Sequence, residues 1–178
     1  MTFKANVLPG DAGIGEKMGP DQRSGANACL EPVFPLPVFL HKAARQPVVI
    51  DTNIVLDVFV FADMAAKPIR KALETGELDW IATRPMRDEL ARVLGYPQIV
   101  PRLAFYQLSA DDVLASFDRQ ARLVDVAVKA RLNCSDPDDQ KFIDLAVSSQ
   151  ALLLSKDRHV LSMSKRLFSQ GVRAQSAI

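Results

Sequence analysis

The chain has 178 residues, 48% of them apolar and 24% charged, enough material for one well-buried domain and inconsistent with wholesale disorder or a fibrous repeat. Lys plus Arg number 22 against 21 for Asp plus Glu, a net charge of +1, which taken alone argues against a dedicated, strongly basic nucleic-acid binder. No stretch is long and apolar enough to span a bilayer, and Cys29 and Cys134 show neither a disulfide framework nor zinc-ligand spacing, so a protein of the reducing cytoplasm with no membrane partner is expected.

Residues 1–46 mix Gly, Pro and small polar residues, as in Pro9-Gly10-Asp11, and hold no sustained period of 2 or 3.6, so they read as a disordered N-terminal extension. Their one apolar stretch, Val33 to Leu40, is broken by Pro35 and Pro37 and is suited to docking as an extended segment. The basic start and apolar run of an export signal are missing. The compact domain is expected over residues 47–178.

Within it, Val48-Val49-Ile50 is a β-branched run that stops at Asp51, the pattern of a strand buried on both faces. Thr52 to Leu73 reads as helical with an interruption near Lys67-Pro68, and Gly76 closes it. Leu78 to Ala82 forms a second strand, and Thr83 with Pro85 opens a helix over Arg84 to Leu94 that Gly95 and Pro97 end. Ser109 to Asp112 resembles a capping box and starts a helix to about Ala121, followed by a strand over Leu123 to Val128. Asp136 with Pro137 at the first helical position starts a helix to about Gln150, then come strands over Ala151 to Ser155 and Val172 to Ser176. Strands alternating with helices predict a three-layer α/β/α domain around a central, mostly parallel sheet.

In such a sheet, ligands bind beyond the carboxyl ends of the strands, and Asp51 and Asp157 both follow buried strands. Either one alone is better explained as a cap or a turn residue; the pair points to a shared acidic site. Glu89 follows Met86 and precedes Leu90 and Val93, close to the apolar face of its helix, with an ion pair to Arg92 as the bland alternative. Asp139 heads the stripe Phe142, Ile143 and Ala146, although Asp136, Asp138 and Asp139 also crowd a helix start that attracts anions. Four converging carboxylates need a counter-charge, and all-oxygen ligation suits Mg²⁺ or Mn²⁺ over zinc. Such an ion activates water against a phosphodiester. Thr52, Asn53 and Ser155 are placed to orient the carboxylates or their waters.

The segments Val49 to Asn53, Arg87 to Leu94, Asp136 to Ala146 and Leu154 to Asp157, in that order, resemble those of PIN-domain ribonucleases, in the branch that forms toxins of toxin–antitoxin systems. The resemblance runs from Pro47 to about Ser176 and departs from the family pattern at Asp57 and at Ser155-Lys156-Asp157. It implies a metal-dependent endoribonuclease whose acidic residues are Asp51, Glu89, Asp139 and Asp157, with the three aspartates as main ligands and Glu89 as a ligand or water-orienting base. It also implies a cognate antitoxin protein and a homodimer. The alternative is a catalytically degenerate PIN-like module that binds RNA or protein. No aromatic RNA platform is visible, so RNA would be engaged through phosphates, with Arg84, Arg87, Lys141, Lys156 and Arg158 as candidates near the site edge.

Overall fold

A computed structural model describes residues 45–178 of the protein. The extension expected over residues 1–46, with Cys29 and the Val33 to Leu40 stretch, lies outside the described residues except for its last two. Gln46 already belongs to the first strand, one residue ahead of the expected domain start.

The strands are β1 (Gln46–Ile50), β2 (Leu78–Thr83), β3 (Arg122–Val124), β4 (Leu152–Leu154) and β5 (Ala174–Gln175). They form one parallel sheet in the order β3-β2-β1-β4-β5. Val48 pairs with Trp80 on one side and Leu152 on the other, and Ile50 with Leu154. Successive residues Val48, Val49 and Ile50 are all buried, as are Leu152, Leu153 and Leu154, which requires cover on both faces of the sheet. The chain builds outward from β1 through β2 to β3 and then returns to β1's other side as β4. The strand order therefore reverses between β1 and β4, where open α/β sheets offer their binding crevice.

Eight helices surround the sheet among the described residues: α1 (Thr52–Phe59), α2 (Lys67–Glu74), α3 (Arg84–Leu94), α4 (Val100–Phe105), α5 (Ala110–Gln120), α6 (Gln140–Ser149), α7 (Arg158–Ser162) and α8 (Ser164–Phe168). Helices α2 and α3 pack on β2, α6 on β1 and β4, and α8 on β5. Trp80 anchors the β2 side, stacked on Phe59 at 6.1 Å and meeting the Phe117 ring edge-on at 4.7 Å.

Several expected boundaries move. The break after α1 falls at Val60 to Asp63, where Ala62 adopts a φ of +48°, and Pro68 sits harmlessly in the first turn of α2. Helix α3 has the expected limits, yet the buried Thr83 hydroxyl has no partner among the described residues and does not cap it. Ser109 and Asp112 do cap α5 reciprocally, at 2.8 and 3.1 Å. Strand β3 ends at Val124, four residues early, because the chain leaves the sheet edge there and exposes Val126 and Val128. Helix α6 starts at Gln140, not Asp136: the Asp136 carboxylate accepts from Asp138 N at 2.9 Å, closing a turn that holds Pro137 off the helix path. The short helices α4, α7 and α8 leave too few turns to show a period.

Candidate active site

Asp51 is 2% exposed and continues the pairing of β1 with β4, its N–H donating to Leu154 O at 2.9 Å. That bond places its carboxylate at the crevice between the two strands. On the facing strand, Ser155 is fully buried, donates its hydroxyl to Asp51 Oδ2 at 2.6 Å, and accepts from Asp157 N at 2.9 Å. One hydroxyl thus ties together the acids that follow β1 and β4. Asp157 in turn caps α7, its Oδ1 accepting from His159 N at 2.6 Å.

Glu89 reaches the same neighbourhood from the middle of α3. Thr52 Oγ1 donates to its Oε1 at 2.7 Å, and Lys141 Nζ pairs with its Oε2. The partner of Glu89 is therefore a lysine from α6, not Arg92 one turn away on its own helix. Asp139, at the residue before α6, is half-buried, and its Oδ2 is buried with no hydrogen-bond partner among the described residues. Burial, then the charges of Asp51, Asp157 and Asp136, push its pKa up to about 7, with Lys141 opposing. Burial also raises the Asp51 carboxyl above the usual range; the Ser155 hydroxyl opposes this, the Glu89 charge adds to it, and the amides of Asn53 and Thr52 pull it back. The four acids expected from sequence thus lie around one crevice, coupled through these charges and bonds. Thr52 and Ser155 touch them directly, whereas the Asn53 side chain is exposed and makes no hydrogen bond among the described residues.

The segment 125–139 that delivers Asp139 is irregular, and α6 pins it. Gln140 Oε1 accepts from Cys134 N at 2.8 Å, and its Nε2 donates to Leu132 O at 2.9 Å and Asp144 Oδ1 at 2.6 Å. Asp144 Oδ1 also accepts from Ala130 N at 2.8 Å, so this acid fastens the loop. Ser135 Oγ lies 2.7 Å from His159 Nδ1, joining the loop to α7. No local pattern marks Gln140 or Ser135 for these tasks, since their partners are defined only by the folded loop.

The five basic residues expected to face RNA are mostly engaged. Arg84 pairs with Asp88 at 3.1 Å on an exposed face, and Arg87 forks onto Asp118 at 2.6 and 2.7 Å. Lys156 pairs with Asp57 at 2.7 Å and Asp63 at 3.1 Å, so the two departures from the family pattern meet each other. Lys141 holds Glu89, and Arg158 is exposed and makes no ion pair among the described residues. An open groove of about 390 Å³ runs beside the acids, lined by Pro85, Asp88, Glu89, Arg92, Asp138 and Lys141. Arg92 enters the site region here as a groove wall, a role that its place one turn beyond Glu89 on α3 makes intelligible.

A hard divalent cation is the group this arrangement of oxygens implies. Among the described residues, no three His, Cys, Asp or Glu side chains form a ready-made cage. The donor set is all oxygen, however, and Asp139 supplies a buried acceptor without a partner beside the charges of Asp51 and Asp157. This fits an ion such as Mg²⁺, which keeps several waters and takes one or two carboxylates.

A parallel α/β domain with acids gathered at its switch point is the class that fold and site define. The chain belongs to the PIN domain family, whose sequence pattern it matches over residues 47–159. Among solved structures it is similar to the crystal structure of VapBC2 from Rickettsia felis bound to a DNA fragment from their promoter. The identity is 11%, the TM-score 0.49, and the alignment covers 72% of this chain and 98% of that one. No curated protein matches the sequence.

Proposed function

We propose that the protein is a divalent-metal-dependent endoribonuclease acting as the toxin of a toxin–antitoxin pair. PIN domains are generally nucleases that use divalent metals. The observation that carries the reading for this chain is the Asp139 carboxylate, with one buried oxygen unpartnered beside Asp51 and Asp157. Asp51, Asp139 and Asp157 would hold Mg²⁺ or Mn²⁺, and the bound ion would supply water activation and charge stabilisation at the phosphodiester. Ser155 fixes Asp51 and the Asp157 backbone relative to one another. Glu89, steadied by Thr52 and Lys141, would serve as a water-orienting base from the groove side.

The groove beside Glu89 offers Arg92 to an RNA strand, and Arg158 is exposed on the β4 side. From Lys156 onward the chain carries five basic residues against one acidic, so the near-neutral total conceals a basic end. An antitoxin would silence the enzyme by placing a cationic side chain over the acids, and the active form would be a homodimer. No helix among the described residues is long and apolar enough to cross a membrane.

Asp51→Asn tests the enzyme directly. Mg²⁺- or Mn²⁺-dependent RNA cleavage should vanish while the circular dichroism spectrum is retained, and unchanged cleavage would refute the reading. The alternative is a binding module. It requires RNA or protein binding without carboxylate-dependent metal uptake, which a calorimetric titration distinguishes. Toxicity on expression, relieved by the product of a neighbouring gene, tests the pairing with an antitoxin.

A further inference from the structure

We propose that Lys141 is a resident cation that occupies the Glu89 side of the acidic crevice and limits it to one divalent ion. The inference rests on the metal-dependent reading above and specifies how many ions that site takes.

Both oxygens of Glu89 already have a partner: Thr52 Oγ1 donates to Oε1 and Lys141 Nζ pairs with Oε2. The two charged side chains retain only 23% and 15% of their exposure, so water screens this pair less than it does a surface ion pair. The ammonium is held from other directions too: it donates to the Asp138 carbonyl and lies 4.9 Å from the Phe142 ring centroid. Its stem springs from the first turn of α6, two residues after Asp139. One short segment thus brings to the crevice both an acid and a cation. The cation partners Glu89, whereas Asp139 Oδ2 is left without a partner among the described residues.

A divalent ion seeking Glu89 must displace an ammonium that already has three partners and leave that charge beside the newcomer, which is costly in a partly dehydrated crevice. An ion seeking Asp139 meets no such competitor. The protein's own cation therefore stands where a second metal ion would otherwise complete a two-ion clamp.

Mn²⁺ is the probe, read on the full chain by calorimetric stoichiometry and by electron paramagnetic resonance, which separates isolated from spin-coupled ions. Wild type should take one Mn²⁺ per chain, lost in Asp139→Asn. Lys141→Met should take two, with a coupled spectrum that Glu89→Gln in the same chain abolishes, and Lys141→Arg should return to one. Two ions in wild type would overturn the proposal whatever the variants do. One ion in both wild type and a folded Lys141→Met would overturn it and leave the nuclease reading standing. The lack of carboxylate-dependent Mn²⁺ uptake in wild type would overturn both.

Discussion

Asp51 follows a central strand, with its amide bonded to Leu154 and its carboxylate to Ser155, whereas Asp139 ends the irregular segment 125–139 and leaves Oδ2 with no partner among the described residues. Both are acids of one crevice, and burial raises the pKa of both. The difference lies in what satisfies them. On the strand side the protein supplies the partners, producing a fixed template; on the loop side it leaves a desolvated oxygen that costs free energy until something binds. A rigid acceptor facing an unsatisfied one is a reasonable way to build affinity for an ion that must keep some of its water.

The largest expected effect tests whether the two sides act together. Asp51→Asn and Asp139→Asn should each lower metal-dependent RNA cleavage by more than ~100-fold, the upper end of what the loss of an outer partner causes. Single-turnover cleavage assays measure this, and a variant retaining near-wild-type rate would exclude its residue from the site. Ser155→Ala comes next, because it removes the bond that fixes Asp51 and the backbone of Asp157. Mg²⁺ affinity should fall ~10-fold or more by calorimetry. Fluorescence-monitored denaturation should show only a modest stability loss. The smallest effect belongs to the loop anchor. Asp144→Ala removes the acceptor of two bonds, from Ala130 N and Gln140 Nε2, and should cost about 2 kcal/mol in urea denaturation. It should weaken metal binding through Asp139 while sparing the Asp51 side.

Much of the strand side is legible in the amino-acid sequence. The runs Val48 to Ile50 and Leu152 to Leu154 are continuous and apolar, each is followed within a few residues by an acid, and a parallel sheet needs little more to place that acid at its carboxyl edge. Helix α3 is equally legible, because Pro85 and Gly95 punctuate it, although Thr83 turns out to be a buried hydroxyl without a capping bond. The loop side is not. Asp136 and Pro137 mimic a helix start, and only the Asp136–Asp138 turn and the anchoring of Gln140 to Leu132 and Cys134 delay the helix to Gln140.

Charge pairing is the other illegible part. A lysine near an acidic site looks like a phosphate contact in one dimension, but the fold gives Lys141 to Glu89 and Lys156 to Asp57 and Asp63. All three pairs join residues far apart in sequence, so no helical spacing could reveal them. Lys156 and Asp57 even stand out individually as departures from the family pattern, and only together do they become intelligible.

Asp139 also makes cation binding measurable through protons. Its folded-state pKa of about 7 lies above the ordinary 3.8, so the folded protein holds this proton more tightly than the unfolded chain. Stability contributed by the protonated carboxyl is present below about pH 4 and is lost as pH rises through about 7. A cation bound at Asp139 must displace that proton. The decisive measurement is Mg²⁺ titration by calorimetry in buffers of different ionisation enthalpy, at pH 6 and pH 8.5. Binding should be weaker at pH 6, with release of about one proton, and tighter at pH 8.5, with almost no release, and neither behaviour should appear in Asp139→Asn. Mg²⁺ uptake independent of pH, or undiminished in Asp139→Asn, would contradict cation binding at Asp139.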